Sequence, residues 1–152
     1  HIYKWLEDKW EEEKIVLYGR SMGSGVATRI ASWNKPKMLI LDSPYFSFFY
    51  QIHRYAFILP LRRLLKYQIR TDQFIRKVTC PVFIVHGKKD RLIPFSQSEM
   101  LQQKAPGNVH LFPVAEARHN NLPDFAEYHE WLYDLLNDEA VFLKAKGEFA
   151  AA

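Results

Sequence analysis

Hydrophobic positions along the chain cluster into four short runs set between longer mixed segments. Residues 15–18 (Ile-Val-Leu-Tyr), 38–41 (Met-Leu-Ile-Leu) and 82–86 (Val-Phe-Ile-Val-His) are nearly uninterrupted. Runs of this length and continuity predict strands buried on both faces. Residues 109–112 predict a fourth strand, shorter and weaker. Helical spacing fills the gaps: Tyr3, Leu6 and Trp10 within residues 3–13, the segment from Gly25 to Trp33, and residues 96–104 with Ser96 near the N-cap. Residues 124–137 carry Phe125, Tyr128, Trp131, Leu132, Leu135 and Leu136 on one face of a further helix. Residues 45–70 are rich in Phe, Tyr and Ile, with Pro60 between two predicted helices, and 139–152 reads as a helical tail that frays. Strands alternating with helices predict an α/β fold, a three-layer parallel sheet with helices on both faces. Right-handed crossovers then bring the loops after the strands to one edge.

Composition narrows the class without naming a chemistry. The 152 residues are 48% hydrophobic and 25% charged, enough for one packed domain and unlike a disordered chain. One cysteine, Cys80, excludes an internal disulfide framework. No run approaches the ~20 apolar residues of a membrane span and no signal peptide is visible, so a cytoplasmic location is expected. The chain begins at His1 rather than Met, which predicts a fragment or a processed chain. The net charge of +4 is too weak to imply nucleic acid, and no nucleic-acid partner is expected. Residues 53–77 hold seven Arg or Lys against Asp72, whereas residues 115–139 hold seven Asp or Glu against Arg118. Both read first as solvated helix faces. Because basic residues of the first segment interleave with Phe, Ile and Leu, a membrane-surface contact through 45–70 is the second reading.

Chemistry enters at Gly19-Arg20-Ser21-Met22-Gly23, a G-x-S-x-G pattern. The pattern alone arises by chance in roughly one chain in twenty of this size. Its setting is more telling, since an apolar strand ends at Tyr18 and a helix starts near Met22, as a nucleophile elbow requires. So tight a turn strains the serine, and side chains two residues either side would collide, which is the expected reason for Gly19 and Gly23. The Met22 backbone N–H, at the helix N-terminus, is the expected oxyanion donor.

A serine hydroxyl needs a base. Of the six histidines, His1, His53 and His129 fall in terminal or helical positions and His110 within a strand. His86 precedes Gly87 and reads as a hydrogen-bonding residue of the turn. His119, in the loop after the last strand, combines a flexible position with the right edge of the sheet. Two carboxylates lie at that edge as the acid that would orient it. Asp90 follows the third strand and is preferred. Asp42 follows the second, next to Ser43-Pro44, and is the alternative, though it also reads as a turn-capping residue. No metal site and no cofactor are expected.

These segments resemble the α/β-hydrolase family. Tyr18-Gly19-Arg20-Ser21-Met22-Gly23, Leu41-Asp42-Ser43-Pro44, the stretch from Pro81 through His86, Gly87 and Asp90 to Pro94, and Arg118-His119-Asn120 are similar to the small serine hydrolases of the BEM46-like and serine-aminopeptidase-like group, over residues 2–136. The resemblance implies a partial α/β-hydrolase fold built from the family's strands five to eight. Residues 1–152 would form one N-terminally truncated domain, with 45–75 as a short, helical, cap-like insert. It implies a Ser21-His119-Asp90 triad. No His-Gly segment that would supply the second oxyanion donor precedes Ser21. The expected activity is hydrolysis of a carboxylic ester or thioester of a small acyl substrate, with an apolar acyl group suggested by the aromatic insert. A peptidase or amidase of the same fold is the first alternative. The second is an inactive truncated domain that needs its missing half or a partner. On that reading the chain alone is weakly active at most, and self-associates through the exposed edge of its first strand.

Overall fold

A computed structural model of the chain describes residues 1–55 and 69–137. Four strands form one parallel sheet in sequential order: β1 (Val16–Arg20), β2 (Met38–Asp42), β3 (Val82–Gly87) and β4 (Val109–Val114). The helices are α1 (Ile2–Glu7), α2 (Met22–Ala31), α3 (Phe48–His53), α4 (Thr71–Phe74), α5 (Ser96–Lys104) and α6 (Ala126–Asn137). β2 and β3 are buried at every position, which is why their sequences are continuous rather than alternating.

The period of two still sorts their side chains between the faces. Leu39, Leu41, Val82, Ile84 and Val109 meet Ala27 and Ala31 of α2, Ile75 just after α4, and Leu101 of α5. Met38, Ile40 and Phe83 meet Leu135, Trp131 and Leu132 of α6 on the opposite face. Consecutive strands that are also neighbours step across the sheet in one direction, so crossovers of one hand put α2, α4 and α5 on the same side. Among the described helices, α6, after the last strand, packs on the other face. The chain therefore has the three-layer α/β architecture that its pattern predicts. Each leucine or isoleucine fully buried in it contributes ~1.5–3 kcal/mol of transfer free energy.

Three elements depart from their predicted limits. Where spacing predicts a helix over 3–13, the chain forms α1 and then a separate 3₁₀ turn, Glu12–Lys14. Tyr3 is the only buried residue of α1, and Trp5 and Trp10 are exposed. One buried side chain is too little packing to hold three turns. β4 continues through Pro113 to Val114 and is as long as β3, although only its two end residues are buried. Among the described residues it pairs only with β3, and an edge strand tolerates a residue without an N–H. At α5, Phe95 rather than Ser96 takes the N-cap place, already with helical torsions and without a side-chain cap.

The second helix predicted after Pro60, the basic residues Arg62, Arg63 and Lys66, and the tail 139–152 lie outside the described residues. So does part of the 45–75 insert. Among the described residues, no helix is long and apolar enough to cross a membrane.

Candidate active site

All four strands end at one edge, and the predicted site residues stand there. β1 runs through Arg20, and α2 begins at Met22, which leaves Ser21 alone to make the turn. Its backbone takes φ 48° and ψ −117°, and its N–H donates to the Asp42 carbonyl at 2.9 Å. A non-glycine residue held there stores roughly 1–3 kcal/mol, which the flanking strand and helix must sustain. The same turn brings Gly19 against α2. A Cβ on Gly19 would stand 2.7 Å from Ala27 Cβ and 2.8 Å from the Gly23 carbonyl oxygen.

Gly23 differs from its expected role, because a Cβ there meets nothing within 4 Å. The crowding falls on the strand side of the turn and not on the first turn of the helix. Gly25 is crowded from elsewhere, by the Tyr45 hydroxyl and Ile69. Gly19→Ala should therefore lose about 1–3 kcal/mol of stability. Gly23→Ala should be neutral or gain up to about 1 kcal/mol of helix propensity. Urea denaturation of the two variants reads the difference directly, and equal losses would contradict this geometry.

β3 ends at Gly87, and the following loop carries Asp90. The Asp90 carboxylate is buried. Its Oδ1 accepts from the Leu92 N–H at 2.9 Å and the Ile93 N–H at 2.8 Å. Its Oδ2 lies 2.7 Å from His119 Nδ1 and 3.2 Å from His86 Nε2. Burial by itself would raise this carboxyl. The hydrogen bonds from His119, His86 and Ile93, with the electrostatic attraction of the His119 ring, outweigh it and hold Asp90 well below the usual carboxylate range. An ionised Asp90 can only accept, so His119 Nδ1 carries its proton and donates. His119 Nε2 is then free to accept from the Ser21 hydroxyl, 3.0 Å away. Ser21, His119 and Asp90 thus stand in one hydrogen-bonded line, though 98 residues separate the first two.

His86 and Ser98, both fully buried, lie behind this line. The Ile93 carbonyl, 2.9 Å from His86 Nε2, can only accept, which puts a proton on that nitrogen. His86 Nδ1 then accepts from the Ser98 hydroxyl at 2.6 Å. His86 is thus the hydrogen-bonding turn residue expected from its place before Gly87, and it also braces Asp90. Spacing alone could have pointed to this, since His86 and Asp90 are four residues apart across the turn. Ser98 on α5 carries no such signal.

Asp42, the alternative acid, does not reach His119. It is fully buried at the end of β2, where Oδ2 accepts from the Tyr18 hydroxyl and Oδ1 from the Ser43 hydroxyl, both at 2.9 Å. Burial, the Tyr128 hydroxyl and this carboxylate together push the Tyr18 phenol well above its ordinary range. Arg20 Nε pairs with Asp42 Oδ2 at 3.4 Å, and Arg20 Nη2 donates to the His119 carbonyl at 3.1 Å. Arg20 thereby ties the His119 loop to the end of β1 from 99 residues away, a link the sequence does not signal. The Met22 N–H opens α2 and has no acceptor within the helix.

A parallel sheet with helices on both faces, and a serine, a histidine and an acid brought together at its strand ends, define a class. Residues 1–135 match the model of a family described as an alpha/beta hydrolase domain, and the chain belongs to the α/β-hydrolase family. It is 32% identical over 127 residues to alpha/beta hydrolase domain-containing protein 17C of Xenopus tropicalis, a match that covers 84% of this chain and 40% of that one. It is 25% identical over 122 residues to lysophosphatidylserine lipase ABHD12 of Danio rerio, covering 68% and 32%. Among solved structures, an esterase of Pyrococcus furiosus superimposes with a TM-score of 0.66 at 24% identity, covering 93% of this chain and 58% of that one. The esterase domain of a Rhodothermus marinus protein gives 0.67 at 16% identity, covering 89% and 62%. The chain spans about two fifths of the length of the 17C relatives it matches.

Proposed function

We propose that this chain carries the catalytic residues of a serine hydrolase acting on carboxylic ester or thioester bonds. The observation that supports it is the unbroken line from Ser21 Oγ through His119 to Asp90, at 3.0 and 2.7 Å. Ser21 Oγ attacks the acyl carbonyl carbon as its proton passes to His119 Nε2. Asp90 holds His119 in the right tautomer and stabilises the imidazolium. The carbonyl oxygen gains negative charge near the Met22 N–H and the positive end of α2. Collapse of the tetrahedral intermediate breaks the bond to the leaving group, which takes the proton from His119. Water, deprotonated by His119, then attacks the acyl-enzyme, and Ser21 recovers its proton.

An apolar acyl group is part of this reading. Its support is Met22, which is 65% exposed beside Ser21. Of the described aromatic residues of the insert, Tyr45 packs on Phe48 and Phe46 on Tyr50, whereas Tyr50 and Tyr55 are exposed. A fluorophosphonate probe tests the nucleophile. Labelling of the wild-type chain and its loss in Ser21→Ala are the expected results. Equal labelling of both proteins, or none of the wild type, would overturn the proposal.

A further inference from the structure

Ser21 and His119 are joined twice, through different atoms. The first link is the hydrogen bond between Ser21 Oγ and His119 Nε2 at 3.0 Å. The second runs through Arg20, the residue directly before Ser21, whose Nη2 donates to the His119 backbone carbonyl at 3.1 Å. The two links close a ring that passes through the Ser21 side chain, the imidazole, the His119 main chain, the Arg20 guanidinium and the Arg20 main chain. Asp90 stands outside this ring and holds the imidazole through Nδ1. Asp90 therefore sets the tautomer of His119. Arg20 sets how far the His119 main chain stands from the strand end that carries Ser21.

A long side chain keeps a distance only if its own base is fixed, because a mobile arginine gives up rotamer freedom for each contact it makes. Arg20 is fixed by Asp42. The two residues face each other in the β1–β2 register, and Arg20 Nε lies 3.4 Å from Asp42 Oδ2. Asp42 is fully buried and is itself held by the Ser43 and Tyr18 hydroxyls, both at 2.9 Å. The Tyr18 hydroxyl lies in turn 3.3 Å from the Tyr128 hydroxyl of α6. The inner side of the guanidinium is thus pinned to the sheet, and the outer side reaches the loop. That loop is joined to the acid loop two residues earlier, where the Ala117 carbonyl accepts the Lys89 N–H at 3.0 Å, and its next residues, Arg118 and Asn120, are exposed. We propose that Arg20 is a positioning residue for His119, and that Asp42 is the anchor of this clamp. The inference rests on the serine-hydrolase reading and gives the residue between Gly19 and Ser21 a part in it. The planar fork is what the role requires, since Nε faces the carboxylate while Nη2 faces the carbonyl. A lysine keeps the charge beside Asp42, but its ammonium ends one bond short of Nη2.

Steady-state hydrolysis of p-nitrophenyl butyrate by the full chain tests the clamp. Arg20→Lys should lower kcat by about 10- to 10²-fold, up to the loss that follows a displacement of roughly 1 Å. KM and the urea midpoint should stay near their wild-type values, because Asp42 keeps a counter-ion. Asp42→Asn releases the guanidinium and should lower kcat by a similar factor. The double variant should lose no more than the worse single one, whereas independent effects would multiply. Arg76→Lys, an exposed change before β3, should behave as wild type. A wild-type kcat in Arg20→Lys would reduce Arg20 to a counter-ion and overturn the proposal. So would a raised KM at unchanged kcat, or losses that multiply in the double variant. If the wild type neither cleaves the ester nor takes a fluorophosphonate label, the hydrolase reading fails by itself, and amide hydrogen exchange then decides the clamp. Residues 118–121 should exchange severalfold faster in Arg20→Lys while the strands keep their protection. Unchanged exchange in that loop rejects the clamp.

Discussion

Asp90→Asn is expected to lower turnover on an ester substrate about 10⁴-fold while leaving the fold in place. The reason lies in which atoms the amide can face. Asp90 Oδ1 accepts two backbone N–H groups, from Leu92 and Ile93, so the amide oxygen must stay there. The amide NH₂ then replaces Oδ2, opposite His119 Nδ1. A donor in that place forces Nδ1 to accept, which moves the ring proton to Nε2. An imidazole protonated at Nε2 cannot take the Ser21 proton, so the base is lost although every heavy atom stays put. The rate of fluorophosphonate labelling should fall in parallel, with an unchanged far-ultraviolet circular dichroism spectrum. The same substitution changes acid stability. A carboxyl held below its unfolded value stabilises the fold above the usual carboxylate range, near pH 4, and that contribution is lost as pH falls through the folded value. The wild type should thus lose this part of its stability below about pH 4. The Asn variant should show a shallower decline in denaturation measured across the same range. Asp42→Asn is the contrast, because Asp42 contacts Arg20 and Tyr18 but not His119. If it matched Asp90→Asn in lost turnover, the assignment of the acid would fail.

How much of this could be read from the residues follows the range of each interaction. The sheet was legible because strands covered on both faces must be apolar at every position, and few other elements are. The serine turn was legible because it is local: strand, glycine, serine and helix fall within a few residues. The limits of β4 were not, because the tolerance of Pro113 depends on the strand having a neighbour on one side only, a tertiary fact. For the same reason Gly23 looked as constrained as Gly19 until the packing on each side of the turn could be compared. Chain order allowed either Asp42 or Asp90 as partner to His119, and only the folded loops separate them. Least legible were Arg20 and Ser98. Their roles depend on one hydrogen bond each to groups brought close by the strand order, and no periodicity encodes that.

Gly87→Ala is expected to damage both stability and labelling, through a different route from any change to the reacting groups. Gly87 ends β3 opposite Val114. A Cβ there would lie 2.3 Å from the Ala117 carbonyl oxygen and 2.6 Å from its carbon. These are backbone atoms of a fully buried residue, so no side-chain rotation relieves the contact. The Ala117 oxygen also accepts the Lys89 N–H that joins the acid loop to the histidine loop. Relief requires the chain at Ala117 to move, and His119 is two residues further on. Overpacking of this kind costs about 1–3 kcal/mol. A shift of roughly 1 Å in a reacting group costs on the order of 10²-fold in rate. Gly107→Ala separates the two effects. Gly107 has φ 83° and precedes β4, at the opposite end of the sheet from Ser21. An alanine there is strained by about 1–2 kcal/mol without touching the site. Both variants should therefore unfold at lower urea concentration, and only Gly87→Ala should also slow fluorophosphonate labelling by about 10²-fold, measured where both remain folded. A Gly87→Ala protein that labels at the wild-type rate would show that the Ala117 chain can yield without carrying His119 away from Ser21.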